Sequence, residues 1–141
     1  MRTDETINAI ENNPVVLMDR IQGEDATDMQ QADITAITFR VFQYNSEAEA
    51  RTDTTGVEVS TFGTLTVGSV IFDTLQTDAR WGADTEGYNF RFTLPGARLP
   101  AGGKWYRVEV LIDPSAGGEE DFILDPYIIY AKPRAGSSDA S

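Results

Sequence analysis

Four carboxylates, Asp73, Asp78, Asp84 and Glu86, crowd around Trp81. Hard oxygen donors in a loop are the chemistry of Ca²⁺ binding. Their spacing follows no EF-hand pattern, and acidic loops are commonly just solvated, so a surface loop is the expectation and no metal or cofactor is called for. A second constellation, Trp81, Tyr88 and Trp105, has the residue types of a sugar-stacking platform. The competing reading makes Trp81 a core or loop-anchoring side chain and packs Trp105 under a neighbouring loop. Paired carboxylates could also serve glycoside hydrolysis, and a chain this acidic offers many candidate pairs. "GTLTVG" and "GARLPAGG" lack phosphate-loop spacing and precede no helical pattern, so they read as turns.

The chain has 141 residues and contains no histidine and no cysteine. That removes the commonest general base, thiolate metal sites, disulfides and the usual hydrolase triads. A non-enzymatic role is therefore expected. With 23 acidic against 11 basic residues, the formal net charge is −12. Repulsion from a phosphate backbone argues against a nucleic-acid partner, whereas a basic protein surface would be attracted. No apolar run approaches the ~18 residues of a membrane span, and "MRTDETINAIENNP" lacks the character of a secretory signal. Neither a membrane nor an export route is expected.

The elements that would position these groups are short and alternating. "PVVLMDRIQ" reads as a first strand, and the polar "GEDATDMQQAD" as a loop. "ITAITFRVFQY" is the clearest strand, with Ile37, Phe39 and Val41 on one face and Thr38 and Arg40 on the other. "NSEAEARTDTTG" tolerates a helical turn but has no apolar stripe, and is expected to be an exposed loop. "VEVSTFGTLTVGSVIFDTLQ" holds two or three short strands. Tyr88, Phe90 and Phe92 then share a face, with Asn89 and Arg91 opposite. "WYRVEVLI" sets Tyr106, Val108, Val110 and Ile112 on one side. "DPSAGGEED" supplies turn chemistry, and Pro126 interrupts the closing strand "FILDPYIIYAK" as at a sheet edge or bulge.

Such spacing predicts an all-β domain: an immunoglobulin-like antiparallel β-sandwich of about seven strands. Phe39, Val41, Phe90, Tyr106, Val108 and Val110 are the expected core, with Arg40, Arg91 and Glu109 outward. The run "LPAGGKWYRVEV" resembles the approach to the sixth strand of immunoglobulin and fibronectin-type domains, where a tyrosine hydroxyl bonds back to the corner backbone. The domain is expected to span residues 14–132. Residues 1–13 read as a flexible N-terminal arm and 133–141 as a disordered tail.

Three runs together resemble a group of small bacteriophage and prophage proteins. They are "VVLMDRIQGEDATDMQQADITAITFRVF", "GTLTVGSVIFDTLQTDARWGADTEGYNFRFTLP" and "GGKWYRVEVLI", covering roughly residues 15–131. "DTLQTDARWGADTEGYNF" is the most specific part. The resemblance implies a virion-associated, immunoglobulin-like sandwich of the kind that decorates capsids or adorns tails and fibres. It carries over no catalytic residue. The acidic 1–13 arm and the "NSEAEARTDTT" loop depart from the plainer members. The expectation is a structural protein of a tailed-phage virion, located at the capsid surface after synthesis in the host cytoplasm. Its partner would be the major capsid protein or other virion subunits, and it is also expected to form a homo-oligomer on the particle. A neck or tail adaptor, a fibre-associated module and a glycan-binding module are the alternatives. Ile7 and Ile10, the only bulky apolar residues of the arm after Met1, are the candidate partner-binding residues.

Overall fold

Alternation fixes the two long strands at the centre of the molecule. In the computed structural model, which describes residues 6–23, 27–53, 56–59, 62–76, 87–114, 121–124 and 126–133, "ITAITFRVFQY" is strand β3 (Ile34–Tyr44). The ten strands of the described chain also include β1 (Ile7–Ile10), β2 (Val15–Asp19), β4 (Val57–Glu58), β5 (Gly63–Leu65) and β6 (Ile71–Gln76). The rest are β7 (Tyr88–Leu94), β8 (Lys104–Pro114), β9 (Phe122–Ile123) and β10 (Tyr127–Lys132), and two short helices occur, α1 (Glu47–Thr52) and α2 (Val67–Val70). β3 pairs antiparallel with β8, setting Phe39 opposite Val110 and Val41 opposite Val108. Partners in register share a face, so Ile37, Phe39 and Val41 lie with Ile112, Val110 and Val108 on one apolar side, with Gln43 opposite Tyr106 at its end.

The strands form two sheets. The larger runs β1-β10-β8-β3-β4, with β5 also on β3 and β9 also on β8; the smaller runs β2-β7-β6. β4 and β5 are successive pieces along one side of β3, joined through Val59 N–H donating to Val41 O (2.8 Å). β9 and β10 likewise follow each other along β8, with Leu124 N–H donating to Val110 O (3.0 Å) just before Pro126. A proline cannot donate to a ladder, so the strand breaks there and resumes.

The inner faces of the two sheets close on one core. Phe39 of the larger sheet meets Phe92 of the smaller with ring centroids 4.7 Å apart. Val41, Phe90, Tyr106, Val108 and Val110 lie in the same buried cluster. Tyr127 spans the layers, its hydroxyl donating to Met18 O (3.1 Å). The architecture is all-β in two sheets.

Three expectations need correction. The segment 1–13 is not a free arm along its described part. Ile7–Ile10 pairs with β10 in parallel, so the larger sheet is mixed rather than purely antiparallel. The pairing continues through Glu11 N–H to Lys132 O (2.9 Å) and Asn12 N–H to Leu99 O (2.8 Å). Without β1, the outer backbone groups of β10 would lack partners, a cost that a short strand removes.

"NSEAEARTDTTG" is not simply a loop. Ser46 caps α1, accepting from Glu49 N–H (3.3 Å), and Asp53 ends it in the left-handed conformation at φ 54°. Its buried contact is one residue, Ala50, too little to show as a stripe. Asn89, assigned to the outer face of β7, is fully buried there. Its Nδ2 donates to Ile21 O (2.9 Å) and Met29 O (2.9 Å), while its Oδ1 accepts from Ile21 N–H (2.7 Å). One side-chain amide thus takes the place of a neighbouring strand for the backbone of Ile21 and Met29. The expected tail lies outside the described residues from 134 onward.

Candidate interaction surface

The two residues first named for partner binding do not act together. Ile7 stands opposite Ile129 and packs against the core, whereas Ile10 stands opposite Lys132 and is 44% exposed. Positions three apart on a strand point to opposite faces, so no single partner surface takes both. Their neighbour Glu11 is buried instead, its Oε2 accepting from Gly102 N–H (3.0 Å). A Cβ at Gly102 would lie 2.7 Å from Pro133 Cα, so this close approach requires glycine.

The aromatic platform also dissolves. Tyr88 is buried edge-on against Phe72, with centroids 5.9 Å apart. Trp105 lies on the outer side of the other sheet, half-buried against Tyr130 at 5.0 Å. Trp81, Asp78, Asp84 and Glu86 lie outside the described residues. Asp73 is described, and its carboxylate accepts from Gln31 N–H (2.7 Å), a local structural task. Among the described residues, no three Asp or Glu side chains converge on a common point.

Tyr106 bonds back to the chain ahead of its own strand. Its hydroxyl accepts from Ala101 N–H (2.9 Å) and donates towards Ala101 O (3.0 Å), with Gln43 Oε1 at 3.2 Å. Burial, acting against the charged form, raises its pKa and keeps the phenol a donor.

The outer face of the larger sheet is the most differentiated surface. Register and alternation lay it out in rows. One end carries Tyr130, Trp105 and Tyr44, followed by Ile128, Arg107, Phe42 and Glu58. Helix α1 covers this end, with Ala50 packed on Tyr44 and Ile128 and with Phe42 and Trp105 alongside. Arg107 reaches from the sheet to the helix, donating through Nη1 to Ala50 O (3.2 Å) and Arg51 O (3.3 Å). A cation at a helix C-terminus meets the carbonyls left free there. Tyr44 donates to the Asp53 carboxylate; burial first and then that carboxylate push its pKa far up.

The middle of the face is a belt of matched charges. Arg40 forks onto Glu58 with both bonds at 2.9 Å, and Arg107 Nε meets Glu109 at 2.9 Å. The Glu58 bond raises the Arg40 pKa, and the reciprocal bond lowers that of Glu58.

Beyond the belt, helix α1 no longer covers the sheet among the described residues. Here Ile123, Leu111, Thr38 and Thr64 form one cross-strand row. Leu111 is 36% exposed and Ile123 56% exposed. Single exposed apolar residues are ordinary, but register partners make a contiguous patch. Asp113 and Asp121 flank it, interacting directly with each other. Burial and then the neighbouring Asp121 raise the Asp113 pKa.

Alternation alone could locate Leu111 and Thr38 on the outer face. The helix cover is signalled in the sequence by Ser46-x-x-Glu49, a capping-box spacing, and not by an apolar stripe. The buried clamp by Asn89 had no sequence signal, because nothing local distinguishes it from a solvent-facing asparagine. Compared with protein families, with curated proteins and with solved structures, the chain matches none.

Proposed function

We propose that the chain is an immunoglobulin-like structural module of a tailed-phage particle. It binds other virion subunits without catalysing a reaction, and its leading role is decoration of the capsid surface. The observation that carries the immunoglobulin-like part is the strand order. In that fold strands C, F and G share one sheet and B, E and D the other. The orders β10-β8-β3 in one sheet and β2-β7-β6 in the other support that reading. β4 and β5 continue the first sheet beyond β3, while β1 lines the far side of β10. The bond from the Tyr106 hydroxyl, near the start of β8, to the backbone five residues earlier supports the same reading, since a tyrosine corner has such a bond.

The phage part is supported by the likeness of the three sequence runs to small phage and prophage proteins. A binding rather than reacting role is supported by the surface. On the outer face of the larger sheet Arg40 is paired with Glu58 and Arg107 with Glu109, and Leu111 and Ile123 are exposed beyond them. Decoration works by repetition: modest contacts at many equivalent sites add up over a symmetric shell.

The test is co-sedimentation of the purified chain with heads assembled in its absence. The expected result is saturable binding and heads that survive to a higher temperature when decorated. A chain that stays in the supernatant at all concentrations contradicts the proposal.

A further inference from the structure

We infer that the open end of the larger sheet, formed by Leu111, Ile123, Asp113 and Asp121, is the docking surface, and that it takes a basic segment carrying aliphatic side chains. This rests on reading the chain as a docking module and adds the partner's chemistry.

Four residues make a compact unit. Leu111 and Ile123 are register partners on β8 and β9. Asp113 lies two positions beyond Leu111 on β8 and so shares its face, and Asp121, just before β9, interacts directly with Asp113. The apolar pair offers contact area that water now covers, and the acidic pair borders it. Thr38 extends the row without adding charge.

Charge complementarity selects the occupant. The chain carries a net charge of −12, so its long-range field draws cationic partners. On this face the guanidinium groups of Arg40 and Arg107 are already held by Glu58 and Glu109. Asp113 and Asp121 oppose each other, and the effects acting on Asp113 all disfavour its charged form. A lysine or arginine placed between them by a partner removes that repulsion as the aliphatic contact forms. A second copy of this chain is the wrong occupant for the same reason, since two such faces would bring four carboxylates together.

The probe is an extended peptide of alternating leucine and lysine, compared with leucine–glutamate and serine–lysine peptides of equal length. Binding is read from amide chemical shifts of the isotopically labelled full chain. The leucine–lysine peptide is expected to saturate, moving the amides of Leu111, Asp113 and Ile123. Binding should weaken at least tenfold in Leu111→Ser/Ile123→Ser and in Asp113→Asn/Asp121→Asn. Leu111, Ile123 and Asp121 are exposed and Asp113 half-buried, so these variants retain the core, which their unchanged β-sheet circular dichroism verifies. No saturable shift, equal affinity for wild type and both variants, or equal binding of the glutamate peptide overturns the inference. So does a concentration-dependent dimer in sedimentation that Leu111→Ser/Ile123→Ser abolishes. Heads separate the two levels. Equal head binding by wild type and Leu111→Ser/Ile123→Ser removes this surface and leaves the docking role standing. Peptide binding at the face without head binding removes the phage role and leaves the surface.

Discussion

Asn89 shows how much one side chain can decide. Removing its amide orphans the Ile21 N–H and takes a donor from Met29 O and from Ile21 O, the latter keeping Met29 N–H (2.9 Å). Asn89→Ala should cost about 1–3 kcal/mol in chemical denaturation. Asn89→Asp should cost more, because a carboxylate cannot donate to either carbonyl. Phe90, with no exposed surface, gives the packing counterpart: Phe90→Ala is expected to lose about 3–5 kcal/mol. A loss below ~1 kcal/mol would contradict the stated register. Asp113 gives a pH-dependent case. Its pKa is raised in the folded state, so the folded protein binds the proton more tightly than the unfolded chain. Stability from this group is present in acid and lost as pH rises through the folded pKa. Asp113→Asn should therefore raise the thermal midpoint at pH 7. The advantage over wild type should vanish below the ordinary aspartate pKa of about 3.9. An equal gain at both pH values would mean the effect is not titration. At this scale period-two alternation made Phe39, Val41, Phe90, Tyr106, Val108 and Val110 legible. Asn89 was not, since burial of an outer-face residue depends on a loop arriving from sixty or more positions away.

Elements were legible in proportion to their length. β3 and β8 each run for eleven residues of clear alternation and were readable from the sequence. β1 has four residues, and "INAI" carries no periodicity that separates a strand from a fraying terminus. Its formation depends on the free edge of β10, a tertiary circumstance. Deleting residues 1–10 removes the buried Ala9, the core contact of Ile7 and the cover over β10. The truncated protein should lose about 1.5–3 kcal/mol or more, comparable to burying one aliphatic side chain. It should also aggregate faster through the uncovered edge. Unchanged stability and solubility would return the segment to the status of a free arm. Helix α1 is too short to hold itself together and depends on its cap, on Ala50 and on Arg107 at its far end. Ser46→Ala should cost about 1 kcal/mol, and the loss should shift the resonances of Trp105 and Tyr44 beneath the helix.

For the whole molecule, the two-sheet architecture followed from short alternating runs separated by turn residues. The parallel strand at the edge did not, because pairing direction leaves no mark on so short a segment. The surface was the least legible part. Which outer-face residues stay open depends on where α1 sits, and that depends on the rows beneath it. The resulting division of one sheet face into a covered end, an ion-paired belt and an open aliphatic end bordered by acids is what gives the docking account its direction. The most direct test of that account is a cryo-electron microscopy reconstruction of tailed-phage heads bearing this chain. The account predicts a two-sheet density on the outer shell. The end carrying Leu111 and Ile123 should face the capsid, and basic capsid side chains should lie against Asp113 and Asp121. Heads without such density, or density with Leu111 and Ile123 turned towards solvent, would contradict it.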